Sequence, residues 1–183
     1  HSVERMRGGE EMSQAVLISI RPKWCEKIIS GEKTIEVRKT RPKMDMPFKC
    51  YIYRSVQGGV IGEFICDDIF ERIVRVGAKC EPPKYCICDW NMDCTPLDTL
   101  LADACLTKDE MEKYLDGGVG YGWHISDFKL YDQPLPLNTF KKWFRECAYS
   151  DLGLAIPDCE KCTDCGCYVQ KPPQSWFFVE ELP

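Results

Sequence analysis

Within the 183 residues, one stretch sets a carboxylate between two cations at spacings that suit ligand chemistry: Lys33, Glu36 and Arg38. Thr34 to Lys39 alternates polar and apolar, so Ile35 and Val37 occupy one strand face and Thr34, Glu36 and Arg38 the other. Residues two apart on a strand lie roughly 6.5 to 7 Å apart along it, which fits the two ends of one small polar ligand. Together the three side chains offer an acceptor, a planar five-donor fork and a mobile ammonium, suited to a base edge plus phosphate or sugar oxygens. The competing reading is a surface strand with a Glu-Arg ion pair of little energetic value.

A second constellation is Tyr121, Trp123, His124 and Ser126, where an imidazole exchanges hydrogen bonds with a base while an aromatic ring stacks on it. Taken singly, a strand histidine is more often structural and a tryptophan more often core. The third is Cys159, Cys162, Cys165 and Cys167, four thiols packed into nine residues. Cys-x-x-Cys spacing lets two sulfurs reach one tetrahedral ion, so a structural zinc is expected here, completed by a cysteine from Cys80 to Cys94. Reduced, unligated thiols are the alternative. The fourth cysteine follows too closely for a bacterial iron-sulfur run, and no proline comes after it. Just downstream, Pro172-Pro173 fixes the backbone leading into Gln174 and Ser175, which are expected to add neutral hydrogen bonds at the cleft.

Positioning these groups requires a strand over Val16 to Ile20, then a helix from Pro22 to Ser30, proline at its first turn and Gly31 as its C-cap. The strand at 34–39 follows, then a hairpin of Lys49 to Arg54 and Val60 to Cys66 across Ser55 to Gly59. Asp67 to Gly120 reads as irregular until a helix at Thr107 to Leu115, where Thr107 and Glu110 form a capping box. One strand over Trp123 to Tyr131 and a closing strand at Trp176 to Val179 complete the pattern. Residues 1–11 read as an appended or disordered leader, and 12–183 as a single domain with insertions at about 67–104 and 145–171.

The run Gly31-Glu32-Lys33-Thr34-Ile35-Glu36-Val37-Arg38 after a strand and short helix resembles the ASCH family, whose signature is Gly-x-Lys-x-x-Glu-x-Arg. Tyr121 to Asp127 and Pro172 to Trp176 are similar to segments of phage- and Firmicute-type ASCH proteins with cysteine-rich insertions, so the resemblance spans 15–66 and 105–182. It implies an α+β, PUA-like mixed or antiparallel β-barrel with short flanking helices. It also implies an RNA- or nucleotide-binding module reading its ligand with Lys33, Glu36, Arg38 and His124. The alternative is an amidohydrolase acting on acetylated cytidine nucleosides. In small bacterial ASCH proteins of that kind a lysine, a threonine and a downstream glutamate are functional; Lys33 matches the first and Glu110 the last, while Glu36 stands where the threonine would be.

Composition narrows the classes further. A net charge of -5 and a pI near 5.2 argue against a protein that coats nucleic acid through a broad basic surface. The basic residues of 21–43 still leave room for a local site. No apolar run is long enough for a membrane span, and with thirteen cysteines and no export signal a cytoplasmic protein is expected. Phosphate-loop, nucleophile-elbow, zincin and zinc-deaminase motifs are all missing from the sequence.

Overall fold

The computed structural model describes the backbone of residues 5–7, 10–76, 84–88, 94–95, 97–143 and 167–183, and the side chains of 13–70, 73, 97–143 and 167–183. In chain order the first strands are β1 (Arg5–Arg7), β2 (Glu10–Met12) and β3 (Gln14–Ile20), followed by helix α1 (Pro22–Ile29). Then come β4 (Ile35–Arg38), β5 (Phe48–Arg54), β6 (Val60–Cys66), β7 (Ile69–Val76), β8 (Lys84–Cys88) and β9 (Cys94–Thr95). Helices α2 (Leu97–Asp103) and α3 (Lys108–Leu115) precede β10 (Gly120–His124), β11 (Ser126–Leu135) and β12 (Trp176–Glu180). No described helix is long and apolar enough to cross a membrane.

The chain divides into two compact units. Unit 1 holds residues 1–22, 48–64 and 129–183. There β3 runs parallel to β5, pairing Val16 with Cys50 and Ile18 with Ile52, and antiparallel to β12. Its core gathers Ala15, Leu17, Tyr51, Val60, Phe140, Val169 and Val179. Strand β3 is buried along nearly its whole length, which is why its sequence reads as an apolar run.

Unit 2 holds residues 23–47 and 65–128. Its sheet order is β4-β10-β7-β8-β9. Ile35 and Val37 of β4 pack with Ile73, Leu97, Leu100, Met111 and Leu115, so one face of the sheet is closed by α2 and α3. Helix α3 begins as its sequence dictates. Thr107 Oγ1 accepts from the Glu110 amide at 3.1 Å, and Glu110 Oε2 accepts from the Thr107 amide at 2.9 Å.

Mixed and antiparallel sheets with short helices confirm the α+β class, but the expected barrel is not formed. Among the described residues neither five-stranded sheet closes on itself: the outer strands are β4 and β9 in one and β11 and β12 in the other. Closure needs a consistent tilt and stagger around a single ring of strands. Here the expected strand over 123–131 is two strands that belong to different sheets. The break falls at Ile125, whose amide donates to Thr34 O, and Asp127 beyond it has a left-handed φ of 46°. The segment expected to be irregular contains β7, β8, β9 and α2. The expected insertion at 145–171 lies outside the described residues up to 166.

Gly122 faces the core of unit 2. A Cβ there would meet Ile35 Cγ2 at 3.1 Å, Leu100 Cδ1 at 3.3 Å and Phe70 Cβ at 3.4 Å. Gly122→Ala is therefore expected to lower the denaturant midpoint with an unchanged slope, at a cost of about 1–3 kcal/mol from overpacking.

Candidate functional site

The site is built where α1 hands the chain to β4. Helix α1 buries Cys25 and Ile28, and Gly31 beyond its end takes a φ of 76° that a side chain rarely adopts. This turn lets the Lys33 amide reach Lys27 O at 2.9 Å, while the next amide, Thr34, donates to Asp103 O at 2.8 Å. The backbone of Lys33 is thus held from both sides before β4 begins.

All four residues of β4 are buried, charged ones included. Lys33, Glu36 and Arg38 are only 3%, 6% and 7% exposed. Glu36 joins the other two: Oε1 lies 3.0 Å from Arg38 Nη2, and Oε2 lies 3.3 Å from Lys33 Nζ. Lys33 also donates to Ala104 O at 2.7 Å, beyond the end of α2. The surface-pair reading of these residues therefore fails, because a pair in water gains little whereas these charges are desolvated together. What the arrangement offers is two cationic donors and one carboxylate acceptor in a sheltered place.

Next to the trio stands Trp24 of α1, four residues before Ile28 and so on the same helical face. Trp24 is half-buried, and two ammonium groups lie over its ring, Lys23 Nζ at 4.2 Å from the centroid and Lys33 Nζ at 5.1 Å. Lys23 in turn pairs with Glu110 Oε1 at 3.0 Å. Its helical spacing with Ile28 makes Trp24 look like core. Its position one residue after an exposed lysine was the available signal that the ring sits at the boundary.

Register sorts the remaining aromatic and polar candidates by face. Strand β10 pairs antiparallel with β4 so that Tyr121 opposes Arg38, Gly122 opposes Val37, Trp123 opposes Glu36 and His124 opposes Ile35. Directly opposed residues project to the same face, so Tyr121 and Trp123 share the face of the charged pair. Trp123 is fully buried there, and Tyr121 is half-exposed. His124 falls on the parity of Ile35 and is not brought together with Glu36 and Arg38. Its Nδ1 lies 2.6 Å from Asp67 Oδ1, a partner the sequence reading missed, and this hydrogen bond holds the Asp67 carboxyl below its ordinary range. Ser126 Oγ donates to Ile65 O at 2.9 Å. Gln174 and Ser175 belong to unit 1, where Ser175 O accepts from the Ser19 amide at 2.9 Å.

Both oxygens of Glu110 are engaged, by Thr107 and by Lys23, and these hydrogen bonds lower its pKa, that from the Thr107 amide most. The expected structural zinc is corrected: among the described residues no group of three or more His, Cys, Asp or Glu side chains is arranged to hold a metal ion. Cys159, Cys162 and Cys165 lie outside the described residues, as do the side chains of Cys80 to Cys94. Cys167 is buried, and its carbonyl accepts from the Lys142 amide at 2.8 Å. A thiol placed for backbone pairing of its own segment is not by that fact a ligand, and Cys-x-x-Cys spacing alone does not supply the convergence that a tetrahedral site requires.

No family model and no curated protein matches the chain. Among solved structures, the crystal structure of an ASCH protein from Zymomonas mobilis is similar at 18% identity and a TM-score of 0.53, over 88% of this chain and 85% of that one. A variant of that protein with one tyrosine changed to phenylalanine matches at 17% identity and a TM-score of 0.52, over 88% and 87% of the two chains. A serine-to-alanine variant gives 17% and 0.52, over 88% and 85%. The chain therefore shares the fold of that ASCH protein.

Two outcomes are expected from the site's own energetics. Glu36→Leu leaves two buried cations without their shared carboxylate and should cost about 3–5 kcal/mol in denaturant unfolding, more than Lys33→Met. For Glu110 the folded pKa is depressed, so its contribution is present above the ordinary carboxylate value of 4.5 and is lost as pH falls through the lower folded value. Parent protein should then lose more stability than Glu110→Gln on acidification from about pH 5 to about pH 3, and Thr107→Ala should cost about 1 kcal/mol near neutrality.

Proposed function

We propose that this protein is an RNA- or nucleotide-binding module of the ASCH type, taking a nucleotide-sized ligand at Lys33, Glu36 and Arg38. The observation that carries this reading is the desolvated trio itself. Burying three charges for stability alone is a poor use of sequence, since well-packed apolar residues of similar volume are often as stable or better. An acceptor flanked by a planar fork and an ammonium matches the combination of base edge and phosphate that a nucleotide presents. Tyr121, half-exposed and opposite Arg38, adds an aromatic neighbour. The acidic overall charge suits a reader with a small footprint.

Membership of the phage- and Firmicute-type group, proposed from the segments 121–127 and 172–176, fits this reading. So does a cytoplasmic location, supported by Cys66 and Cys105 as free thiols, the former pushed up to about 12 by burial and so held as the neutral thiol. Hydrolysis of acetylated cytidine draws support from the desolvated Lys33. It is disfavoured by the engagement of both Glu110 oxygens in the cap and with Lys23.

Fluorescence anisotropy with a pool of random single-stranded RNA octamers at low salt tests the binding reading. Binding should weaken at least about tenfold in Arg38→Ala and decline with added salt. No binding by the parent, or equal binding by Arg38→Ala, overturns it. Turnover of acetylated cytidine that disappears in both Lys33→Ala and Glu110→Ala would put the hydrolase in its place.

A further inference from the structure

We propose that Trp24 is the stacking platform for one nucleobase of the ligand, with Lys23 as the side chain that leaves the ring to meet the ligand's phosphate. This inference rests on the reading of Lys33, Glu36 and Arg38 as the ligand-holding trio. Trp24 lies within reach of that trio: Lys33 Nζ is 5.1 Å from its ring centroid and 3.3 Å from Glu36 Oε2. A base lying on the indole would therefore present its edge to the same ammonium and carboxylate.

The two lysines at the ring differ in how firmly they are held. Lys33 is buried and bonded to Ala104 O as well as to Glu36, so it stays. Lys23 is 65% exposed at its side chain, and its ion-pair partner Glu110 is 41% exposed. An exposed ion pair and an exposed cation–ring contact are each weaker than a base stacked on an aromatic side chain. Displacing Lys23 is thus favourable, and the freed ammonium gains a phosphate in place of a carboxylate. Glu110 keeps its bonds to Thr107, so α3 remains capped when the lysine departs. Trp24 serves as a platform because every base has a π-face; discrimination between bases falls to the trio.

The experiment compares an octamer of single-stranded RNA with an abasic octamer carrying the same phosphates. In the parent, the indole N–H signal of Trp24, assigned by its loss in Trp24→Phe, should shift on adding oligocytidine, oligouridine or oligoadenosine and stay in place with the abasic chain. Trp24→Ala should bind RNA about tenfold more weakly and the abasic chain within about twofold of the parent, with Trp24→Phe retaining most of the affinity. Because the shift is measured on the folded parent, the inference is tested even where Trp24→Ala does not fold. Binding that depends on Arg38 while the Trp24 signal stays put overturns the platform and leaves the trio's reading intact. Binding that requires Trp24 but is indifferent to Arg38→Ala supports the platform and overturns the reading of the trio. A parent that binds no RNA overturns both.

Discussion

Glu36 holds two cations at once in a place from which water is largely excluded, and the surroundings of β4 follow from that. Lys33 and Arg38 share this carboxylate, which offsets part of the cost of burying two like charges side by side. The trio also demands a backbone that delivers Lys33 from just outside the strand, three residues before Glu36. Gly31 does this by its left-handed turn, and the amides of Lys33 and Thr34 are tied to α1 and to the end of α2.

The opposite face of the same strand imposes the complementary demand. Ile35 and Val37 must meet α2 and α3, so β4 has no tolerance for a shift by one residue, which would exchange charged and apolar sets. Its partner strand is matched to that alternation: Gly122 leaves the room that Ile35 and Leu100 fill, while Trp123 covers the charged side. Charge burial and apolar packing thus fix one register between them.

Much of this was legible in the sequence, for identifiable reasons. Alternation along 34–39 separated the faces, and the Thr107 and Glu110 spacing gave the start of α3 together with its cap. The same features explain what was misread. Parity within one strand is local, but the parity of His124 relative to Glu36 depends on pairing between β10 and β4, which no local pattern encodes. Trp24 was not singled out at all, because its spacing with Ile28 does not reveal the two lysines that lie over its ring. The barrel came from the family resemblance alone, and the single strand over Trp123 to Tyr131 was misread because a continuous run of strand-forming residues conceals the change of sheet at Ile125. Glu110 shows the converse: the structural role anticipated from its N3 position is the one its bonds display.

Among the described residues β4 is the last strand in the hydrogen-bond order of its sheet, and it is four residues long. Outermost strands are the usual templates for unwanted pairing between chains, and proteins protect them by keeping them short and by turning charges inward. This one does both. The buried charges of Glu36 and Arg38 therefore make the strand a poor seed for edge-to-edge aggregation, and replacing them with aliphatic residues to gain stability would remove that protection.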